Sequence, residues 1–242
     1  MKNKDFFYQQ YEKINWENQE KTKINSFVND FILQEIILQK KSEDIKIFDI
    51  GFGIGFFFKM IYPILSKKYE NILLEGCEPS NKNFNYFTEH SLNVRKNANL
   101  KTHNSTFLNT QTDEKFDFIT AIYTFTNFVT DELEVSAEKI YSMLENGGQF
   151  ILVVANEKYL EEKLASMKDL FIEKNSIEFD GKKYKEVLHY SDIPKIGKII
   201  DYNREEQFYL DLFKKKNFKL AKKENFDDNG FRCTIFVFEK LG

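Results

Sequence analysis

Residues 45–61 read IKIFDIGFGIGFFFKMI. Ile45, Ile47, Phe48 and Ile50 crowd a short run broken only by Lys46 and Asp49, the pattern of a strand buried in a parallel sheet. Gly51, Gly53 and Gly55 follow at alternate positions. Phe56 to Leu65 then has the length and composition of a buried helix. Strand, glycine loop and helix in that order predict a cofactor-binding turn. The chain must reverse sharply while its backbone comes close to a ligand, and both are easiest without a Cβ.

Glycines also serve ordinary tight turns, so the spacing matters. A dinucleotide fingerprint reads G-x-G-x-x-G. Here the third glycine, Gly55, comes one place early, and Phe56 takes the expected site. Asp49 stands just ahead of the first glycine. The GK[ST] ending of a phosphate-binding loop is absent.

Outward from this stretch the pattern alternates. Asn71 to Cys77, NILLEGC, is a second strand ending in Glu78, Pro79 and Ser80. A carboxylate at that tip is placed to accept hydrogen bonds from both ribose hydroxyls of a nucleoside. Ser80 predicts a cap for a helix over 81–96. Residues 99–107 read as a third strand and 115–123 as a fourth, with Tyr123, Thr124, Thr126 and Asn127 at its end. A helix over 132–145 is expected to stop at Asn146-Gly147-Gly148, before a fifth strand over 149–155. Five alternations predict a doubly wound, Rossmann-like α/β sheet whose ligands lie beyond the carboxyl ends of the strands.

A helix is expected over 157–172, after which the rhythm breaks. Residues 174–203 hold strand-like pieces, EVLHY and KIIDY, and read as an inserted lid. A helix over 204–215 and strands over 217–224 and 233–239 close the chain. The few residues between these last strands force them antiparallel. Ahead of the glycine loop, 22–40 has the spacing of an amphipathic helix, and 1–21 carries an aromatic set that includes Tyr8, Tyr11 and Trp16. The expected organisation is an N-terminal helical cap on the substrate side over 1–40 and one α/β domain over 41–242.

Bulk properties exclude several classes. A hydrophobic content of 42% can fill a globular core. A net charge of −3 argues against a broad nucleic-acid surface. No apolar run reaches about 18 residues, so no membrane helix is expected, and a cytoplasmic protein is the default. Cys77 and Cys233 fall in apolar strands and read as buried thiols. Together with His90, His103 and His189 they match no zinc spacing, and no metal is expected.

The D-x-G-x-G-x-G segment resembles motif I of the class I S-adenosylmethionine (SAM)-dependent methyltransferases. DIGFGIG at 49–55, CEPS at 77–80, FDFITAIYTFTNFVTD at 116–131 and LENGGQFILVV at 144–154 occur in family order and at family spacing. The resemblance covers Ile45 to Lys240. It implies a seven-stranded sheet, mostly parallel with an antiparallel last strand, and SAM as cofactor. Gly51 and Gly53 would let the backbone approach the methionine half, with Gly55 completing the loop. Asp49 would orient the loop or the amino group. Glu78, with Pro79 beside it, would hold the ribose. Ser105, Thr106 and Phe107 fall where the family contacts adenine, Thr106 standing where an Asp is frequent. Tyr123 falls where methyl group and substrate meet.

The N-methyltransferase target motif [DNS]PP[YFW] is missing; residues 123–127 read YTFTN. That disfavours methylation of adenine N6 or protein glutamine. A small-molecule acceptor, an amine or a hydroxyl, is the expectation. Asn127, Tyr190 and the N-terminal Tyr8, Tyr11 and Trp16 are its candidate walls, and Tyr123 and His189 the candidate catalytic groups. An RNA or protein methyltransferase, a nicotinamide-dependent oxidoreductase and a non-catalytic partner subunit on the same fold are the competing readings.

Overall fold

The computed structural model describes residues 12–13, 23–40, 42–91, 94, 99–156, 162, 171–193, 197–228 and 231–242. After helix α1 (Lys23–Gln39) the chain alternates through β1 (Asp44–Ile50), α2 (Phe56–Leu65), β2 (Asn71–Cys77), α3 (Asn81–His90), β3 (Asn99–His103), β4 (Phe116–Ile122), α4 (Thr130–Met143) and β5 (Leu144–Ala155). Then come β6 (Phe171–Phe179), β7 (Lys182–Ile193), β8 (Gly197–Arg204), α5 (Glu206–Lys215), β9 (Phe218–Asp228) and β10 (Phe231–Lys240). Seven strands form one sheet in the order β3-β2-β1-β4-β5-β10-β9. Strands β1 to β5 pair in parallel, while β10 runs antiparallel to both of its neighbours. The direction of winding reverses between β1 and β4, so a crevice opens beyond their carboxyl ends.

Alternation along the strands divides the core into two layers. In β10, Cys233, Ile235 and Val237 face the helices α1, α2 and α3, which contribute Ile32, Ile36, Phe58, Ile61 and Phe87. Phe236 and Phe238 face α4 and α5, with Leu133, Ile140, Phe208 and Phe213. Much of the phenylalanine-rich composition goes here: Phe213 lies 4.6 Å from Phe238 and 4.9 Å from Phe150, centroid to centroid. The two cysteines are buried and free.

Three expectations need correction. Helix α4 stops at Met143, and Asn146-Gly147-Gly148 lies inside β5. Phe116 pairs with Leu144 but Phe118 with Gln149, so β5 spends extra residues there. Gly147 at φ 75° and the tight backbone around Gly148 make that bulge possible. The helix expected over 157–172 gives way by Phe171, where β6 begins; residues 157–161 and 163–170 lie outside the described residues. Helix α3 ends at His90, short of the expected 96. Its cap is as expected: Ser80 Oγ accepts from Asn83 N at 3.2 Å.

The insertion is ordered sheet. Strands β6, β7 and β8 form an antiparallel meander. Asp180 and Gly181 turn the first hairpin, both at positive φ, the two-residue geometry that an Asp-Gly pair favours. One buried side chain fastens this sheet to the end of β4. Arg204, 3% exposed, pairs with Glu186 Oε2 at 2.8 Å. It also donates to the carbonyl oxygens of Phe128 at 2.8 Å and Phe125 at 3.5 Å.

Candidate active site

The site is built at the tips of β1, β2 and β4. Leaving β1, the chain takes positive φ at Gly51, Gly53 and Gly55 (68°, 56° and 72°), a path that residues with a Cβ rarely adopt. Each glycine meets a different surrounding. A Cβ at Gly51 would fall 2.7 Å from Thr124 Cγ2, and one at Gly55 would fall 1.9 Å from the Phe87 ring of α3. At Gly53 no atom of the described residues lies within 4 Å. Gly51 and Gly55 are therefore glycines for packing, and Gly53 opens a cradle. Phe52 does not fill it, because its ring turns into the α2–α3 layer, 4.9 Å from Phe87.

The loop is tied to the neighbouring strand tips. Gly51 N donates to Cys77 O at 2.8 Å. Gly53 N donates to Glu78 Oε2 at 2.9 Å, and Ser80 N to Glu78 Oε1 at 2.9 Å. Asn83 Nδ2 reaches the same Oε1 at 3.4 Å. Glu78 N in turn donates to His103 O at 3.0 Å, joining this acid to the end of β3. Thr124 Oγ1 donates to Ile50 O at 2.9 Å, closing the β4 side.

Two acids are buried here. Asp49 is 2% exposed and accepts from Thr120 Oγ1 at 2.7 Å; Glu78 is 5% exposed. Removal from water raises both carboxyls to about 7, against the downward pull of their hydrogen bonds. Each also feels a nearby carboxylate, Asp49 that of Glu78 and Glu78 that of Glu12. Glu12 reaches the first turn of α3, accepting from Asn81 N at 2.6 Å and Lys82 N at 3.3 Å, a placement the helix dipole favours.

The segment after β3 is held from α4. Lys139 Nζ donates to the carbonyls of Phe107 at 2.6 Å, Leu108 at 3.3 Å and Thr110. Ser105 Oγ and Thr110 Oγ1 are 2.7 Å apart, and Thr106 O accepts from Thr110 N at 3.0 Å. The Phe107 ring is buried against Phe48.

The structure therefore brings together Asp49, Gly51, Gly53, Gly55, Glu78 and the residues beside it, Pro79 and Ser80. Tyr123 sits at the tip of β4 with φ 56°, its side chain packed on the α1–α3 layer. Asn127 is half-buried in the turn that follows. His189 and Tyr190 lie on β7, in register with Asp201 and Ile200 of β8. Tyr8, Tyr11 and Trp16 lie outside the described residues. Of the remaining histidines, His103 pairs with Glu75 at 2.8 Å and His90 bonds Tyr86 O at 2.9 Å, and both serve the frame. Among the described residues no cluster of His, Cys, Asp or Glu forms a metal site. None of their helices is long and apolar enough to cross a membrane.

Sequence reasoning passed over Glu12, Lys139, Asp201 and Arg204. All four act across long sequence separations through hydrogen bonds or ion pairs, which leave no periodic trace.

No protein-family model and no curated protein matches the sequence. Solved structures do match. An S-adenosylmethionine-dependent methyltransferase from Clostridium acetobutylicum ATCC 824 superposes with a TM-score of 0.62 at 15% identity, covering 98% of this chain and 99% of that one. Magnesium protoporphyrin IX methyltransferase from Synechocystis PCC 6803, solved with bound SAM, gives 0.61 at 11% identity over 98% and 91%. The glycopeptide N-methyltransferase MtfA, complexed with SAM, gives 0.59 at 14% identity over 87% and 93%. The fold is that of the class I SAM-dependent methyltransferases.

Proposed function

We propose that this chain is a SAM-dependent methyltransferase that acts on a small-molecule acceptor. The observation that carries the reading is the Gly53–Glu78 pair. A loop amide and a strand-tip carboxylate are locked together beside open space that any Cβ at position 53 would enter.

The residues fit an adenosyl sulfonium. Gly51 and Gly53 leave backbone for the methionine half, Glu78 offers its carboxylate to the ribose, and the 105–107 backbone borders the adenine side. Asp49, held by Thr120, adds a carboxyl behind the loop that carries its charge above about pH 7. When bound, SAM supplies a methyl group on a positively charged sulfur, already activated for transfer. The protein's share is alignment, which can supply roughly 7–11 kcal/mol, so no catalytic triad is required.

The small-molecule reading draws support from the net charge of −3 and the missing target motif. It also draws on the fold's use in enzymes named for porphyrin and glycopeptide substrates. In this reading the β6–β8 meander covers the acceptor side, and Glu12 stands at the first turn of α3 on the cofactor side. Asn127, His189 and Tyr190 belong to the acceptor side, whereas the Tyr123 side chain is packed on the α1–α3 layer.

Calorimetric titration of the whole chain with SAM and S-adenosylhomocysteine tests the assignment. Micromolar binding of both, weakened by Gly53→Ala, is expected. No binding of either at millimolar concentration overturns it.

A further inference from the structure

Strand β3 is the short edge of the sheet, five residues long and paired only with β2. The chain that leaves it starts level with the ribose acid, because Glu78 N donates to His103 O at 3.0 Å. It then doubles back past β2 until Phe107 packs on Phe48 of β1. Ser105 and Thr106 stay partly exposed along this path. One short turn follows, Phe107–Asn109, closed through Thr106 O, which accepts from Asn109 N at 3.1 Å and Thr110 N at 3.0 Å. A strand this short and this peripheral offers the turn little support.

A cation supplies the tie to the body of the domain. Lys139 stands in α4, whose Leu133, Ala137, Ile140 and Met143 are buried in the core. An ammonium has three protons to donate, and three carbonyl oxygens receive them: Phe107 at 2.6 Å, Leu108 at 3.3 Å, and Thr110. The same ammonium lies 4.9 Å from the centroid of the Phe107 ring, within cation–π range. Carbonyls at the end of a helical turn lack partners within it, and a cation placed there both satisfies them and suits the local dipole. The whole donor capacity of Lys139 is therefore directed at the main chain of one turn.

Main-chain groups discriminate between bases only as well as they are held. Adenine presents a donor at N6 beside an acceptor at N1. Hypoxanthine presents an acceptor at O6 beside a donor at N1. A fixed wall that suits one edge leaves unpaired groups against the other, and a loose wall rearranges for either. We infer that Lys139 is a positioning residue for the nucleobase, and that by holding the turn after β3 it sets the preference of the site for adenine. This role rests on the methyltransferase reading, in which the 105–107 backbone borders the base, and deepens it. The bonds of Lys139 fall on the turn and not on the glycine loop or Glu78, so the methionine and ribose contacts are left in place.

The test titrates the full chain calorimetrically with S-adenosylhomocysteine and with S-inosylhomocysteine, which differ only at the base edge. Wild type should bind the adenosyl ligand about tenfold or more tighter, the scale of a misplaced hydrogen bond. Lys139→Met should cut that ratio to about threefold or less, by weakening the adenosyl ligand while the inosyl ligand stays within about threefold. Met, Gln and Arg suit a helix about as well as Lys, so α4 itself is spared. Lys139→Gln, which strands no charge and keeps a polar head, gives the same reading if the Met variant folds poorly. Lys139→Arg, which keeps a cation with several donors, should recover part of the ratio. A wild type without base preference, an unchanged ratio in Lys139→Met or Lys139→Gln, equal weakening of both ligands, or no recovery with Arg overturns the inference. Failure of wild type to bind S-adenosylhomocysteine at all would instead strike the methyltransferase reading.

Discussion

Glu78 Oε2 accepts the amide proton of Gly53 at 2.9 Å. The acid that would hold a ribose is therefore also the acid that shapes the loop beneath the methionine half. Sugar recognition and loop geometry are one element, because Gly53, Ser80 and Asn83 already converge on that carboxylate.

Glu78→Gln keeps the shape and one acceptor oxygen but removes the charge. S-adenosylhomocysteine affinity should fall by about 1.5–3 kcal/mol, the worth of hydrogen bonds to a charged group, with far-ultraviolet circular dichroism unchanged. Calorimetry that finds equal affinity removes Glu78 from the site.

Gly53→Ala and Gly55→Ala should part company. Both force a left-handed backbone on alanine, roughly 1–2 kcal/mol. Only Gly55→Ala also drives a Cβ into the Phe87 ring, adding roughly 1–3 kcal/mol of overpacking. Urea denaturation should show the larger loss at 55. Cofactor titration of the folded proteins should show the larger binding defect at 53. The reverse ranking would mean that the open cradle is misplaced.

Asp49 and Glu78, both raised to about 7, give pH a definite sign. The folded protein keeps these protons between about pH 4 and 7, where the unfolded chain has released them. The contribution of the pair to stability therefore declines as pH rises through that window and is level above it. Binding behaves oppositely if it uses the carboxylates, because the ionised form accepts through both oxygens and more strongly, whereas protonation turns one of them into a donor. S-adenosylhomocysteine affinity should climb from pH 6 to pH 8, and Glu78→Gln should flatten much of the climb. A pH-independent affinity in wild type would show that neither acid titrates on binding.

Arg204→Met leaves the buried Glu186 without its counter-ion. Breaking one side of such a pair costs roughly 3–5 kcal/mol, and chemical denaturation should register it. Adding Glu186→Leu should restore most of the loss, since a matched apolar pair strands no charge. If the single variant is neutral, the meander is held by something other than this anchor.

The parallel half of the fold was legible because its signals are local. The run from Ile45 to Ile50 alternates between two cores, Gly51 to Gly55 breaks the chain, and Ser80 caps α3. Asn146-Gly147-Gly148 misled because glycines end helices and also permit bulges. The choice between them depended on how β5 pairs with β4, a long-range fact. Asp180-Gly181 was a hairpin signal present in the sequence on which the expectation of an irregular insertion did not draw. The meander's attachment was not legible at all. Glu186 and Arg204 look like two surface charges until β7 and β8 pair and fold them against the turn after β4.

Arg204 grips main-chain oxygens of Phe125 and Phe128, so what it recognises is the route of the chain and not the letters written there. If the meander covers the acceptor, as proposed, its other residues can change, and with them the taste for one acceptor over another, while the mooring holds. A graft of this insertion from a related fold should carry its chemistry along, provided the guanidinium and its glutamate travel with it.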